Sequence, residues 1–233
     1  MSERGWLRIS EIFESIQGEG ASAGAQSVFV RLATCNLRCA WCDTRYTWDW
    51  SAYDYAREVT RVAVADVAAK VNATDVATHL VVTGGEPLLQ QPALVELLAA
   101  LDPARHVEVE TNGTLAPVAE LVARVNQWNV SPKLGNSGES RERRIDVAAL
   151  AALRDTGRAW LKLVVESSDD IAEVDALVAG GGWPAERVLL MPQASTRDAL
   201  VERTPIVLRL AKERGFATSP RLHVERWSGR RGV

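Results

Sequence analysis

Short apolar runs alternate with amphipathic stretches along most of this 233-residue chain. The runs are rich in Val, Leu and Trp, a pattern typical of strands that are buried on both faces. The pattern predicts strands at 27–33, 79–83, 107–110, 128–131, 160–165, 188–191 and 221–224.

Helical periodicity appears between these runs. In 92–101, Leu94, Leu97 and Leu98 share one face, and Pro92 suits a first helical turn. Similar patterns predict helices at 118–125, 146–154, 171–178 and 206–214. Alternating strands and helices favour βα units around a parallel sheet. Some six units are too few for a closed barrel of about 250 residues. We therefore predict an α/β fold, a partial open β/α barrel with a parallel sheet, formed by residues 1–233 as a single domain.

Charge and hydropathy exclude several classes of function. Charged residues make up 24% of the chain, the net charge is −3 and the isoelectric point is near 5.7, so we expect neither nucleic acid nor an anionic membrane as partner. The one basic cluster, 141–144, is interrupted by Glu142 and indicates a solvated loop.

No apolar run reaches the roughly 18 residues of a membrane span. The charged start of the chain is not typical of a signal peptide, and we expect a cytoplasmic protein.

The three cysteines of the chain, Cys35, Cys39 and Cys42, lie within eight residues. An odd, clustered set is a poor disulfide framework and more often binds a metal. Three thiolates at this spacing can each hold one iron of a [4Fe–4S] cubane, which leaves the fourth iron open to a substrate. Two alternatives remain: inert buried thiols, and a zinc site with a distant histidine. The chain's histidines are His79, His106 and His223.

Further candidate residues follow the predicted strands where they end. Gly84, Thr111, Pro132 and Pro192 each come directly after an apolar run. Because parallel strands end at the same edge of a sheet, we expect these positions to converge on one site.

Two of these motifs resemble those of the radical S-adenosylmethionine superfamily. One is the spacing of the three cysteines, with Trp41 before the last. The other is the turn Gly84-Gly85-Glu86-Pro87 after a strand. Glycines let the backbone approach a ligand closely. The resemblance implies a [4Fe–4S] cluster on the cysteines and S-adenosylmethionine bound beside Gly84, Gly85 and Glu86.

Longer stretches resemble the 7-carboxy-7-deazaguanine synthase family. They are 13–20, 29–32, 42–44, 110–114, 131–133, 190–192, 222–223 and 231–233. The resemblance implies a radical ring contraction that converts 6-carboxy-5,6,7,8-tetrahydropterin to 7-carboxy-7-deazaguanine with loss of ammonia. It also implies that magnesium assists and that S-adenosylmethionine is regenerated as a cofactor. The implied partners are a flavodoxin-like electron donor and a second copy of the chain in a homodimer.

The resemblance also implies a role for individual residues. An arginine inside the apolar run Val28-Phe29-Val30-Arg31-Leu32 is expected to point into the barrel, where it would bind the substrate carboxylate. The other implied substrate contacts are Gln17, Glu19 and His223. The implied magnesium ligands are Asp43 and Thr44. The remaining implied cofactor contacts are Trp41, Glu110, Ser131, Lys133 and Gln193. Trp48, Trp50, Trp160 and Trp183 are interpreted as packing or surface residues.

Two other functions stay open on the residues. A radical enzyme that activates a glycyl-radical partner would share the cysteines and the glycine turn, but it would not need Gln17, Glu19 and Arg31. A zinc-binding interaction module without catalysis would contain one zinc and no sulfide.

Overall fold

A mostly parallel sheet of nine strands organises the residues that the computed structural model describes, 4–74 and 78–232. In space the strands run in the order β3-β1-β2-β4-β5-β6-β7-β8-β9. β1 pairs antiparallel with β2 and β3, and every later neighbouring pair is parallel. The predicted open α/β sheet is confirmed. The strands are β1 (Trp6–Ile16), β2 (Gln26–Leu32), β3 (Thr60–Ala63), β4 (His79–Gly84), β5 (His106–Thr111), β6 (Gln127–Val130), β7 (Ala159–Val165), β8 (Val188–Pro192) and β9 (Ala217–Thr218).

Helices connect most of the strands, and the longer ones pack apolar residues against one face of the sheet. They are α1 (Tyr55–Glu58), α2 (Val64–Asn72), α3 (Gln91–Ala99), α4 (Ala119–Arg124), α5 (Arg141–Arg144), α6 (Val147–Arg154), α7 (Ile171–Gly181), α8 (Arg197–Arg214) and α9 (Leu222–Trp227). Short 3-10 turns lie at Arg45–Thr47, Pro87–Gln90, Gly135–Ser137, Ser168–Asp170 and Ala185–Arg187. Among the described helices, none combines the length and the apolar character needed to cross a membrane.

The strands alternate between an apolar outer face and a polar inner face. In β5, Val107 and Val109 are buried in the hydrophobic core, whereas Glu108 and Glu110 point to the opposite face. The same alternation places Leu163 in the core and the neighbouring Lys162 inside. The inner face therefore forms the wall of a charged cavity, and the outer face binds the helices.

The predicted strand at 221–224 is wrong. Those residues lie at the start of α9, and the final strand is the earlier pair Ala217–Thr218. Pro220 has no N–H to donate to a ladder, so pairing with β8 ends at Ser219, whose N–H donates to the carbonyl of Leu190. The alternation Leu222-His223-Val224 suits either a short strand or one helical turn.

Two further predictions need correction. α8 begins at Arg197 rather than 206, because Thr196 caps its first turn and the helix continues through Pro205. The predicted loop at 141–144 is the short helix α5. Its last residue, Arg144, is buried and donates hydrogen bonds to the carbonyls of Lys133 and Glu139.

Candidate active site

A cavity of about 250 Å³ opens at the carboxyl edge of the parallel strands. Nearly all the predicted site residues line it: Gln17, Glu19, Arg31, Cys35, Cys39, Trp41, Cys42, Asp43, Thr44, Gly84, Gly85, Glu110, Ser131, Lys133 and His223. Glu86 and Gln193 are buried outside this lining. The convergence of strand ends thus brings together residues that are far apart in the chain.

The cysteine loop follows β2 and presents all three thiols to the cavity. The backbone N–H of Leu37 lies 3.4 Å from the Cys35 sulfur, and the indole N–H of Trp48 lies 3.3 Å from the Cys42 sulfur. Burial raises the pKa of Cys35 to about 12 and also raises that of Cys39. Such thiols ionise readily only when a metal binds them, and the N–H donors then stabilise the thiolates. The loop therefore fits an iron–sulfur cluster better than a thiol nucleophile.

Two histidines considered for a zinc site lie elsewhere. His79 and His106 begin β4 and β5, and their rings contact each other with centroids 4.6 Å apart. This is the amino edge of the strands, opposite the cysteine loop. The third, His223, lies inside the cavity beside Glu19, with 3.7 Å between Nε2 and Oε1. The geometry does not favour a zinc site with His79 or His106.

The glycine turn packs directly against the cysteine loop. Gly84 has a φ of +135°, and a side chain there would overlap the backbone of Leu32. A side chain at Gly85 would overlap the carbonyl of Thr34. The N–H of Glu86 donates to that carbonyl at 2.8 Å. The turn therefore needs glycine at both positions.

The Glu86 carboxylate connects the glycine turn to the end of β5. Its two oxygens accept hydrogen bonds from the Thr111 hydroxyl at 2.8 Å and from the Asn112 N–H at 2.7 Å. Burial raises the pKa of Glu86 despite these bonds. This arrangement commits the carboxylate to holding two strand ends together.

Two predicted cofactor contacts, Ser131 and Lys133, lie on the segment that follows β6 and line the cavity. Lys133 donates to the Ser131 hydroxyl at 3.0 Å, and its ammonium lies 5.7 Å from the centre of the Trp41 ring. The Trp41 indole N–H donates to Asn136 at 3.2 Å. By contrast, the Gln193 side chain accepts a hydrogen bond from Arg203 behind the cavity.

An ion-pair network occupies the centre of the cavity. The Glu19 carboxylate lies 2.6 Å from Lys162 Nζ and 3.0 Å from Arg221 Nε. Burial alone would raise the pKa of Glu19, but the charges of Lys162 and Arg221 outweigh it and hold the pKa well below its ordinary value. Burial alone would lower the pKa of Lys162, and Glu110 and Glu19 instead hold it above its ordinary value. Glu19 and Lys162 are therefore both charged near neutral pH.

Hydrogen bonds to residues at the base of the cavity hold the Gln17 side chain in place. Its amide nitrogen donates to Glu108 at 2.5 Å, and its oxygen accepts from the N–H of Glu19 at 3.1 Å. Glu108 is fully buried and also accepts from Asn129 at 2.6 Å. These bonds fix the orientation of the Gln17 amide beneath any ligand.

Arg31 and the end of the chain form the opposite wall. Arg31 Nε donates to Glu11 at 3.0 Å, so its terminal nitrogens are not committed to that carboxylate. Tyr46 donates to the same Glu11 at 2.9 Å. The guanidinium of Arg231 lies 3.5 Å from the centre of the Tyr46 ring and 2.7 Å from Glu58. The final residues, 229–232, therefore border the cavity.

The predicted magnesium ligands lie next to the third cysteine. The Asp43 carboxylate accepts a hydrogen bond from Arg221 Nη2 at 2.6 Å. Burial would raise the pKa of Asp43, but Arg221 outweighs it and lowers that pKa. The Thr44 hydroxyl lies 3.6 Å from the Cys42 sulfur. Carboxylate and hydroxyl oxygens are the hard ligands that magnesium prefers, although Arg221 occupies one of the two Asp43 oxygens.

Several cavity residues were not anticipated from the sequence. Lys162 stands inside an apolar strand, the same signal that singled out Arg31. Arg221 directly precedes the motif Leu222-His223. Trp48, interpreted as packing, lines the cavity and contacts Cys42.

Comparisons with known proteins agree with this geometry. Residues 30–138 match the model of the radical SAM superfamily. A 7-carboxy-7-deazaguanine synthase from Pyrobaculum aerophilum is 40% identical over 233 residues, covering 100% of both chains. One from Halobacterium salinarum is 40% identical and covers 95% of this chain and 91% of its own. The crystal structure of QueE from Escherichia coli superposes with a TM-score of 0.69 at 28% identity, covering 92% of this chain and 93% of that one.

The full-length similarity and the superfamily match lead to one assignment. The chain belongs to the 7-carboxy-7-deazaguanine synthase family of radical S-adenosylmethionine enzymes.

Proposed function

We propose that this chain converts 6-carboxy-5,6,7,8-tetrahydropterin to 7-carboxy-7-deazaguanine with loss of ammonia, by radical ring contraction. The observation that carries the proposal is one cavity bordered by three cysteines, a glycine turn and a buried network of opposite charges. A zwitterionic cofactor and a polar, carboxylated substrate both suit such a cavity. The whole reaction is assigned to residues 1–233 as a single domain in the cytoplasm.

The cofactors divide the cavity between them. Cys35, Cys39 and Cys42 would hold the [4Fe–4S] cluster, which would supply one electron for the reductive cleavage of S-adenosylmethionine. The backbone at Gly84 and Gly85 binds the methionine part. Because Glu86 is committed to Thr111 and Asn112, its carboxylate supports that turn. The remaining cofactor contacts are Trp41, Ser131 and Lys133.

The substrate lies between Arg31 and the central network. The terminal nitrogens of Arg31 bind the substrate carboxylate in a bidentate manner. Glu19, fixed by Lys162 and Arg221, accepts from the N–H donors of the pterin ring. Gln17 positions the backbone of Glu19, and His223 closes the side of the ring. Asp43 and Thr44 provide oxygen ligands for magnesium.

Two partners complete the proposal. A flavodoxin-like protein supplies the electron, and the chain acts as a homodimer. Support for both comes from the resemblance to the family. Sedimentation velocity of the reconstituted protein measures the assembly: a species of twice the chain mass is expected, and a monomer at micromolar concentration contradicts it.

Product analysis by mass spectrometry tests the proposed reaction. Anaerobically reconstituted protein receives dithionite, S-adenosylmethionine, magnesium and the carboxylated tetrahydropterin. We expect 7-carboxy-7-deazaguanine and about four irons with four sulfides per chain. Release of 5′-deoxyadenosine without this product would favour the glycyl-radical activase. One zinc per chain without sulfide would instead support the zinc-binding interaction module without catalysis.

A further inference from the structure

Four exposed arginines lie on the cysteine loop, on the turn that follows it and on the short helix α5 that contacts it. Arg38 lies within the loop and Arg45 follows it, whereas Arg141 and Arg143 belong to α5. We call these four residues the loop-face arginines. The two segments are in direct contact, because Arg143 Nη2 donates to the carbonyl of Asn36 at 2.9 Å. The loop-face arginines thus lie on contiguous segments, although about 100 residues separate them in the chain.

Nearby carboxylates do not cancel the charge at the surface. Glu139 pairs with Arg143, and Asp49 pairs with Arg45, but these carboxylates are only 8% and 6% exposed. Their arginine partners are 53% and 49% exposed. Glu142 is the exposed acid on α5. The two paired acids lie inside and four guanidinium groups lie outside against the exposed Glu142, so this face is basic on a chain of net charge −3.

Two of the loop-face arginines also lie close to the Cys42 sulfur, with one indole ring between them and it. Arg38 and Arg45 flank the ring of Trp48, with their guanidinium carbons 6.0 Å and 5.9 Å from its centre. The N–H of that ring donates to the Cys42 sulfur at 3.3 Å. A protein bound on this face would therefore be separated from a cluster ligand by little more than one indole ring.

We propose that the loop-face arginines dock an acidic electron-carrier protein. The inference rests on the proposed radical function and names the surface through which its electron enters. In each transfer the carrier loses one electron and the cluster gains one, and no bond or proton is exchanged. Complementary charge speeds encounter and fixes the orientation of such transient complexes. The buried acids beneath hold two of the arginines in place, with the guanidinium groups nearer than the carboxylates to the partner.

Charge reversal at Arg141 and Arg38 tests the proposal. The variants are Arg141→Glu and the double variant Arg38→Glu/Arg141→Glu. Lys212→Glu, in the last turn of α8, is a matched control because α8 ends at the amino edge of the strands. The probe is a reduced, acidic flavodoxin, and the readout is the rate of S-adenosylmethionine cleavage against its concentration.

We expect the KM for flavodoxin to rise about fivefold per reversed charge. Cleavage driven by dithionite should stay unchanged in Arg141→Glu, because Arg141 lies outside the cysteine loop. Lys212→Glu should match the parent chain with both reductants. Raising the salt concentration should reduce the difference in KM for flavodoxin between the parent chain and the variants, because salt screens the charges. Equal KM values for parent and double variant at low salt would overturn the proposal.

A binding measurement protects the test against damage to the cluster loop. Titration of oxidised flavodoxin into each variant by calorimetry requires no turnover. Weaker binding to both loop-face variants than to Lys212→Glu supports the docking surface even if dithionite-driven cleavage falls. Unchanged binding contradicts it. Neither result depends on whether a deazaguanine product forms, so failure of the docking surface and failure of the proposed reaction remain distinguishable.

Discussion

The two faces of the parallel sheet differ in what their side chains do. On β7, Leu163 packs into the hydrophobic core, and Lys162 on the opposite face lies 2.6 Å from Glu19. Burial of the leucine stabilises the fold directly. Burial of the lysine costs solvation energy that its carboxylate partners must offset. The comparison indicates that the outer face holds the fold together and that the inner face is maintained for binding and catalysis.

The largest expected effect is that of Lys162→Met. The substitution removes one of the two buried cations that contact Glu19 and the cation beside Glu110, so we expect the free energy of unfolding to fall by about 3–5 kcal/mol. We also expect product formation to fall by on the order of 100-fold, because Glu19 loses its fixed position. Urea unfolding and steady-state assays measure the two effects.

The double variant Lys162→Met/Glu19→Gln separates stability from function. Neutralising Glu19 removes one of the two carboxylates that Lys162 balances, so part of the lost stability should return while activity stays low. Recovery of activity together with stability would show that the inner ion pair serves only the fold.

Leu163→Ala is the matched change on the outer face. Loss of a fully buried leucine side chain should reduce the free energy of unfolding by about 3 kcal/mol. The KM for the pterin should stay unchanged below the melting temperature, since Leu163 faces away from the cavity. A KM raised as much as in Lys162→Met would break the distinction between the two faces.

Arg31→Ala probes an inner residue outside the central network. Removal of its charge-assisted hydrogen bonds should raise the KM for the pterin by on the order of 100-fold. The iron content and the cleavage of S-adenosylmethionine without substrate should remain. Arg31→Lys keeps the charge but not the planar fork, so its KM for the pterin should lie between those of the parent chain and Arg31→Ala. Parent-like kinetics for Arg31→Ala would refute this substrate assignment.

The smallest effect is the pH dependence of stability. The pKa of Glu19 is lowered in the folded chain, so its contribution is complete above the ordinary value of 4.5 and is lost as pH falls further. The pKa of Lys162 is raised, so its contribution is complete below 10.5 and is lost above that. Thermal unfolding should thus show a plateau from this pair between about pH 5 and pH 10.

The Glu19→Gln variant isolates this contribution from those of other carboxylates. Its melting temperature should fall less than that of the parent between pH 4.5 and pH 3. Parallel curves for the two chains would mean that the ion pair adds nothing to stability.

Local patterns predicted much of the fold and part of the site. The three cysteines are neighbours in sequence, so their spacing indicated a metal or cluster site. The resemblance to the radical S-adenosylmethionine superfamily then implied the cluster and the ligand of the glycine turn. The apolar runs predicted six strands with bounds correct to within a residue or two at each end. Strands β1 and β3 were not predicted, because β1 mixes apolar residues with Arg8, Glu11 and Glu14 at a partly exposed position.

Other features required packing that no local window contains. The basic residues at 141–144 indicated a solvated loop, yet α5 contacts the cysteine loop, and Arg144 reaches inward to the carbonyl of Lys133. The strand predicted at 221–224 forms a helix instead, which carries His223 to Glu19.

The sequence by itself determined the cysteine spacing, the glycine turn and the apolar faces of the strands, because these depend on spacing between chain neighbours. Only the tertiary structure decided that Glu19 meets Lys162, 143 residues away, and Arg221, 202 residues away. The physical reason is that strand register and the course of the last helix place these charges. A buried ion pair forms only where all its partners arrive together.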